Sequence, residues 1–237
     1  METILLSHHN VVVHYALFSL RNASYLRQRL IAASTLPDDE HGTSERQAVK
    51  FAFLDASMVS APTRSSHMKL YTELMPRRSA LQLTSRLHLL TAVSQALLSR
   101  SNGTARTHTI HSEILYSLEP GTNISDSLKH FGLSNTTQHL CLVHVTSTPA
   151  ESLNSINEAG KRVLERMQAL VDGGGLLSLD QLGGHEGSLV NEKSLRRLYK
   201  LNQDPLLLKA QASNNPRTSS KALDEIVISA VALKVVT

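Results

Sequence analysis

The chain of 237 residues is long enough to bury a sizeable core, and it suits one domain with insertions as well as two smaller domains. Its net charge of +4 permits an RNA or phosphate-bearing partner, although a solvated basic surface would have the same composition. The absence of tryptophan and an aromatic content of 4% disfavour an extended platform for base stacking. Cys141 is the only cysteine, so an intramolecular disulfide and a zinc site built mainly from thiolates are excluded, and we expect a reducing compartment. We also expect no cofactor.

The first twenty residues predict strands. The segment METILLSHHNVVVHYALF has neither a basic start nor a small-residue cleavage site, so it does not resemble a signal peptide. Val11–Leu20 is rich in β-branched and aromatic residues, as a buried strand would be. No apolar run approaches the roughly 20 residues that a membrane-spanning helix needs, and we expect a soluble intracellular protein.

A helix is predicted after Asn22, a favourable N-cap, because Leu26, Leu30 and Ile31 follow at helical spacing. The next segment, Leu36–Gln47, is polar and interrupted by proline and glycine, which predicts a loop.

Strand character returns at Lys50–Val59, whereas Thr63–Thr84 contains proline-marked breaks and is interpreted as an insertion. The clearest helix of the first half is SRLHLLTAVSQALLSRSNG, whose apolar residues form one stripe. Arg100 near its end suits the helix dipole, and Gly103 lies where the chain must turn out of the helix.

The stretch Ala105–Gly132 predicts a strand, a turn and a short helix. Within it, HTIHSEILYSL alternates as a strand does, with one face formed by Ile110, Ile114, Tyr116 and Leu118. After the turn EPGT, Asn123 is predicted to cap a helix that ends at Gly132. Its inward-facing residues are predicted to be Ile124, Leu128 and Phe131.

In the second half, His139–Val145 is almost continuously apolar, as a central strand would be. A long amphipathic helix is predicted after Pro149. The glycine-rich segment Asp172–Gly187 has no lysine and no Walker pattern, so it predicts a flexible insertion and not a phosphate-binding loop. A short basic helix at Asn191–Leu201 and a loop at Gln211–Ser220 follow.

The terminal segment ALDEIVISAVALKVV has helical spacing, although its β-branched density leaves a strand as an alternative. Its apolar residues are Leu223, Ile226, Val227, Ala230 and Leu233. Strands and helices are interspersed along the chain without strict alternation. This pattern predicts a single α+β domain over residues 1–237, with a small mixed or antiparallel sheet flanked by helices.

Two histidines and a glutamate make Ala105–Gly132 a candidate for acid/base or metal chemistry. On the predicted strand His111 and Glu113 share a face, whereas His108 lies on the other, so the three cannot ligate one metal together. No metal site is predicted, and no familiar catalytic motif is present in the chain. A His111–Glu113 pair acting in an enzyme remains as an alternative, beside a purely structural pair.

The turn into the short helix has the residues of an anion site. Free N–H groups and the helix dipole at Gly121, Asn123 and Ser125 favour a negative charge, and Arg106 and Lys129 are near in sequence. A well-capped helix without a ligand is the alternative, in which the cap stabilises the helix by roughly 1 kcal/mol.

The residues RTHTIHSEILYSLEPGTNISDSLKHFGL, Arg106 to Leu133, resemble the signature of the CGI-121/TPRKB-like family, the kinase-binding subunits of the EKC/KEOPS complex. The family pattern runs approximately R-T-x-x-x-S-E, an apolar segment, P-x-x-N-I-S-[DE], then L-x-x-F-G. Weaker matches follow the family's order in FAFLDASMV, SLRRLYKL and LDEIVISAVAL. The sequence departs from the family at His108 and His111, where small polar residues are common, and in several insertions, as a fungal-type member would.

The resemblance implies a small α+β fold and a non-catalytic role. Members bind the complex's small atypical kinase, stimulate its ATPase activity and help recruit tRNA through its 3′ CCA end for threonylcarbamoyladenosine modification. Roles in telomere maintenance and transcription are known for some fungal members, and the cytoplasm and nucleus are the expected location.

The expected site residues form two groups. Kinase binding is assigned to the terminal apolar residues Leu223, Ile226, Val227, Ala230 and Leu233, which could equally all be core. Binding of the tRNA end is assigned to Arg106, Gly121, Asn123, Ser125 and Lys129. A protein-bridging scaffold without RNA contact, and an enzyme using His111 and Glu113, are the alternatives.

Overall fold

The computed structural model describes residues 1–56, 87–147, 153–172, 175–179, 192–212 and 216–234. These residues form one five-stranded antiparallel sheet and nine α-helices. The strands are β1 (Glu2–Leu6), β2 (Val11–Ser19), β3 (Ala52–Asp55), β4 (His139–Ser147) and β5 (Leu176–Leu177). The helices are α1 (Ala23–Thr35), α2 (Glu40–Ala48), α3 (Leu87–Ser101), α4 (Ile110–Leu118), α5 (Ile124–Phe131), α6 (Leu153–Leu170), α7 (Glu192–Leu198), α8 (Pro205–Ala212) and α9 (Pro216–Leu233).

The sheet has the order β1-β2-β4-β3, and β5 pairs with the end of β2. Its centre is the long pairing of β2 with β4, in which Val13 lies opposite Val145 and Phe18 opposite Leu140. Both strands are nearly continuous apolar runs because helices cover both faces of the sheet. The predicted strands at the N-terminus and at His139–Val145, and the predicted α+β class, are therefore confirmed.

Each face of the sheet carries its own core. Tyr15 and Leu17 of β2 face a cluster that includes residues of α3, α4 and α9, whereas Ala16 and Phe18 face α1 and α6. Alternation of side chains along a strand produces this division, since successive residues point to opposite faces.

The prediction of a strand over HTIHSEILYSL is wrong, because all but its first two residues form α4. The residues that suggested one strand face, Ile110, Ile114 and Leu118, are also spaced by four and so lie on one side of a helix. Thr109 is the N-cap of α4, and its side chain accepts a hydrogen bond from the Ser112 N–H group.

The loop predicted at Leu36–Gln47 is also wrong in its second half, where α2 begins at Glu40. Asp39 caps this helix by accepting the Gly42 N–H group at 2.6 Å. The missed signal is an aspartate N-cap with a glutamate in the first turn, which favours a helix despite the polar composition.

The remaining predicted insertions are only partly described. Residues 63–84 lie outside the described part of the chain. In Asp172–Gly187, Leu176–Leu177 form β5, which corrects the interpretation of that pair as flexible. At Gln211–Ser220 the predicted loop is wrong at both ends, because α8 continues to Ala212 and α9 begins at Pro216, whereas residues 213–215 lie outside the described part of the chain.

Candidate functional site

A groove of about 950 Å³ lies between α1 on one side and the starts of α4 and α5 on the other. Its apolar lining includes Phe51 and Phe53 of the β3 region, Leu115 of α4 and Leu133 beyond α5. The rim is also apolar, since Ile31 is 54% exposed and Leu128 is 52% exposed. Exposed residues of this size beside an open cleft are typical of a binding surface.

The charges at the groove are all positive among the described residues that line it, namely Arg27, Arg46, Lys50 and Lys129. Arg46 is bound to Asp38 at 2.7 Å, and Arg27 contacts Asn135 at 3.4 Å. Lys50 and Lys129 are exposed. An apolar floor with a cationic rim suits a ligand that combines flat apolar groups with negative charge.

His111 lies at the inner end of the groove, at the start of α4. Its Nε2 atom accepts the Val145 N–H group at 3.5 Å, which places the proton of the neutral ring on Nδ1. Burial lowers the pKa of His111 to about 3, and neighbouring His144, Lys50 and Arg166 contribute to this shift. The ring is therefore neutral at physiological pH and cannot contribute positive charge to the groove.

Glu113 does not pair with His111 as the predicted strand required. Two residues apart on a helix, their side chains leave α4 in different directions. The Glu113 carboxylate accepts hydrogen bonds from the Thr107 N–H and hydroxyl groups at 2.8 and 2.7 Å, and from the Arg106 N–H group at 3.3 Å. The His111–Glu113 pair expected on a strand face is therefore not formed, and the Glu113 carboxylate instead holds the loop before α4.

His108 also takes no part in a cluster with His111. It is exposed, and its backbone carbonyl accepts a hydrogen bond from Arg100 at 3.1 Å. Over the residues that the structure describes, no group of three or more His, Cys, Asp or Glu side chains could hold a metal ion. Within the same residues, no helix has the length and apolar character needed to cross a membrane.

The residues predicted to bind the tRNA end are all exposed, but the structure brings only two of them to the groove. Ser125 and Lys129 line it from α5. Asn123 caps α5 by accepting the Ser125 N–H group at 3.0 Å, while Gly121 and Arg106 lie in the turns before α5 and α4. The predicted cap is confirmed, and the hydrogen bond to its side chain engages the N–H group of Ser125, which was itself a predicted site residue.

The same helix differs from its prediction in orientation. Phe131 is fully buried, as predicted, but Ile124 is 38% exposed and Leu128 is 52% exposed, so these two do not face the core. Sequence reasoning also missed Arg27, Lys50 and Phe51, which reach the groove from segments far apart in the chain. No local pattern marks these residues, because only the packing of α1 and β3 beside α4 brings them together.

The apolar residues predicted to bind a kinase divide into two sets on α9. Leu223 and Val227 are 1% and 0% exposed and belong to the core, so their assignment to a contact surface is corrected. Ile226 is half-buried against the same core. Ala230 is exposed and Leu233 is 60% exposed at the end of the helix.

Comparison with known proteins places these observations in context. Residues 79–235 match the model of a family described as "Kinase binding protein CGI-121". The chain is 29% identical to the "EKC/KEOPS complex subunit CGI121" of Gibberella zeae over 99% of its own length and 98% of that protein. It is 30% identical to the protein of the same description from Cryptococcus neoformans var. neoformans, over 94% of the chain and 92% of the relative.

A third relative, the "EKC/KEOPS complex subunit cgi121" of Aspergillus terreus, is 32% identical over 66% of the chain. That alignment spans 62% of the relative's own length. The matched region of the family model contains α3, α4, α5, β4 and α9, and with them most of the groove's second wall and the exposed end of α9.

Proposed function

Because the chain belongs to the CGI-121 family of kinase binding proteins, we propose that it is a non-catalytic regulatory subunit of an EKC/KEOPS complex. In this role it binds the small atypical kinase of that complex and stimulates its ATPase activity. The family match is the main evidence for kinase binding, and the descriptions of the relatives support membership of an EKC/KEOPS complex.

The proposed kinase surface is the exposed end of α9, with Ala230 and Leu233 at its centre. Leu98 of α3 is 40% exposed and lies one turn beyond Gln95, whose side chain donates to the Ala232 carbonyl. These residues therefore extend one apolar surface across two helices. An apolar centre without charges is what a stable protein interface requires.

The proposed tRNA site is the groove, and it supports recruitment of tRNA through its 3′ CCA end for threonylcarbamoyladenosine modification. Single-stranded RNA ends are held by cations at the phosphates and by apolar or aromatic surfaces at the bases. Lys50 and Lys129 supply exposed positive charge, while Phe51, Phe53 and Leu115 line the groove. Arg106, Gly121 and Asn123 are exposed in the loops before α4 and α5, and we propose that they contact the phosphate backbone.

A kinase pull-down tests the first half of the proposal. The wild-type chain is expected to retain the kinase, whereas Leu233→Glu is expected to lose it. Leu206→Glu is the matched control, since Leu206 is 62% exposed on α8 and lies outside the proposed surface. A folded Leu233→Glu variant that retains the kinase at full affinity would remove α9 from the interface, and a wild-type chain that does not bind would refute the proposal.

Two further experiments separate the alternatives. Charge reversal of Arg106 together with Lys129 is expected to weaken binding of full-length tRNA more than binding of tRNA that lacks its 3′ CCA; equal binding by the variant and the wild type would favour a scaffold without RNA contact. In a reconstituted complex with saturating tRNA, His111→Ala with Glu113→Ala should leave the modification chemistry intact. Loss of modification in the double variant with kinase and tRNA bound would favour the enzyme.

The proposal extends to the location of the protein in the cytoplasm and nucleus and to telomere maintenance and transcription. A fluorescently tagged chain and telomere-length measurement after deletion test these two extensions. Exclusion of the tagged chain from both compartments, or unchanged telomeres, would remove the corresponding extension without affecting the kinase and tRNA roles.

A further inference from the structure

Lys234, the residue after α9, is fastened to the end of α4. Its ammonium group donates to the backbone carbonyls of Tyr116 and Glu119, at 2.6 Å in the second case. The same group lies 3.7 Å from the centroid of the Tyr116 ring. The carbonyls at a helix C-terminus lack partners within the helix and carry partial negative charge, so a cation there is favourable.

Glu119 continues this connection into α5. Its carboxylate, on a residue that is 4% exposed, contacts the His130 Nδ1 atom at 2.8 Å and accepts the Gly121 N–H group at 3.4 Å. His130 lies in the last turn of α5 and Gly121 in the turn before it. Glu119 therefore holds both ends of the turn–helix unit while its own backbone is held by Lys234.

The two surfaces of the proposed function lie at opposite ends of this set of contacts. Leu233, the exposed apolar residue at the end of α9, is adjacent to Lys234 in the chain. Ser125, Leu128 and Lys129, on the helix held by Glu119, line the groove. A displacement of the end of α9 would move the Lys234 ammonium group away from the Tyr116 and Glu119 carbonyls. Because these carbonyls are poorly hydrated, leaving them without a hydrogen bond costs free energy.

We propose that the contacts of Lys234 and Glu119 couple the docking of a protein on the end of α9 to the binding of RNA in the groove. The inference rests on the proposed function, because it requires that both partners bind. Docking on Leu233 restrains the end of α9 and therefore Lys234. Lys234 in turn holds the backbone of Glu119, and the Glu119 carboxylate holds α5 in position for the RNA. Coupling between two binding sites is reciprocal, so RNA raises the affinity for the kinase by the same factor.

The test is a binding cycle on the full chain. The dissociation constant of a tRNA is measured with and without saturating kinase, for the wild type, for Lys234→Met and for Lys221→Met. Lys221 is the matched control because it lies on the same helix and its side chain is 72% exposed, with an ion pair to Glu225 only one turn away. We expect the kinase to tighten tRNA binding by about fivefold or more in the wild type and in Lys221→Met.

The coupling ratio is the dissociation constant of the tRNA without kinase divided by that with saturating kinase. In Lys234→Met this ratio is expected to fall to about one, while each partner alone binds within about threefold of its wild-type affinity. A wild-type ratio of one, or a wild-type ratio retained in Lys234→Met, overturns the coupling and leaves the proposed function intact. Failure of the wild type to bind kinase or tRNA at all overturns the proposed function instead.

A second variant keeps the test decisive if Lys234→Met does not fold. His130→Ala leaves Lys234 in place and removes the side chain that Glu119 contacts on α5, at a position whose side chain is 36% exposed. A reduced ratio in this folded variant supports the coupling, and an unchanged ratio overturns it.

Discussion

The imidazole rings of His111 and His144 lie parallel, with their centroids 5.3 Å apart and an angle of 4° between their planes. His144 comes from β4 and donates through Nδ1 to the Lys50 carbonyl at 3.0 Å. The two rings connect the start of α4 to β4, at a position just beyond the residues of β4 that pair with β3. Both rings are neutral in the folded protein.

This stacked pair predicts a loss of stability in acid. Burial is the main cause that lowers the pKa of His111 to about 3 and that of His144 to about 4. As the pH falls below about 6.5, these histidines take up protons in the unfolded chain before they do so in the folded protein. Their contribution to the free energy of unfolding is therefore complete above about pH 6.5 and is lost as the pH falls toward 4 and 3. A second proton on His111 would also face the Val145 N–H group.

Urea denaturation at pH 7 and pH 4.5 measures this effect. The wild type should lose several kcal/mol of unfolding free energy across this interval, at roughly 1.4 kcal/mol per pKa unit for each histidine. His111→Asn should lose about 2–3 kcal/mol less over the same interval, because the asparagine does not titrate. Equal losses in both proteins would show that this pair does not govern the pH dependence.

Glu113→Gln is expected to weaken tRNA binding without changing kinase binding. The carboxylate accepts hydrogen bonds from the Arg106 and Thr107 N–H groups and from the Thr107 hydroxyl. A glutamine side chain would place its NH₂ group, which is a donor, opposite one of these donors, and that hydrogen bond would be lost. The unfolding free energy should fall by about 1–3 kcal/mol, and the loop that carries Arg106 should loosen. Glu158→Gln, at an exposed position on α6, is the control. Unchanged tRNA affinity in Glu113→Gln would separate this loop from the RNA site.

Leu223→Ala and Leu233→Glu should have opposite effects. Leu223 is 1% exposed, so its truncation should lower the free energy of unfolding by about 2–5 kcal/mol while the folded variant keeps its kinase affinity. Leu233→Glu should leave stability within about 0.5 kcal/mol and abolish kinase retention. Thermal unfolding and calorimetric titration with kinase measure both quantities. Loss of kinase affinity in a folded Leu223→Ala protein would contradict the division of α9 into a buried and an exposed side.

Charge reversal in the groove should change the salt dependence of tRNA binding. Lys50→Glu removes an exposed cation, and the slope of log affinity against log salt should become shallower by about 0.7 for each single-strand phosphate that the variant no longer neutralises. Lys209→Glu, an exposed substitution on α8 with the same change in net charge, is the control. If both variants weaken binding equally, the effect comes from net charge and the groove is not the RNA site.

The predictions of single elements from sequence succeeded where one pattern dominated. The strand at Val11–Leu20 and the helix that ends near Gly103 are confirmed, and Gly103 has the positive φ of 70° that its position demanded. The helix cap at Asn123 is confirmed in the same way. Each of these rests on a local rule of composition or backbone geometry, which acts before distant parts of the chain meet.

Predictions failed where two periodicities coincided. Ile110, Ile114 and Leu118 satisfy both a strand face and a helix face, and the Thr109 cap with the packing of Ile114 and Leu118 into the core selects the helix. That error alone placed His111 and Glu113 side by side on one face, which was the basis of the alternative that they act in an enzyme. On the helix Glu113 binds the preceding loop and His111 stacks on β4.

The sequence by itself determined the α+β class, the signature Arg106 to Leu133 and the apolar character of the terminal helix, because each depends on residue types close together in the chain. Only the tertiary structure decided which side of α9 is buried and which residues form the groove. Phe51, Lys50 and Arg27 line the same groove as Lys129 because α1 and the β3 region lie beside α4 and α5. Contacts between distant segments depend on how the elements pack, and no spacing rule within one segment specifies that.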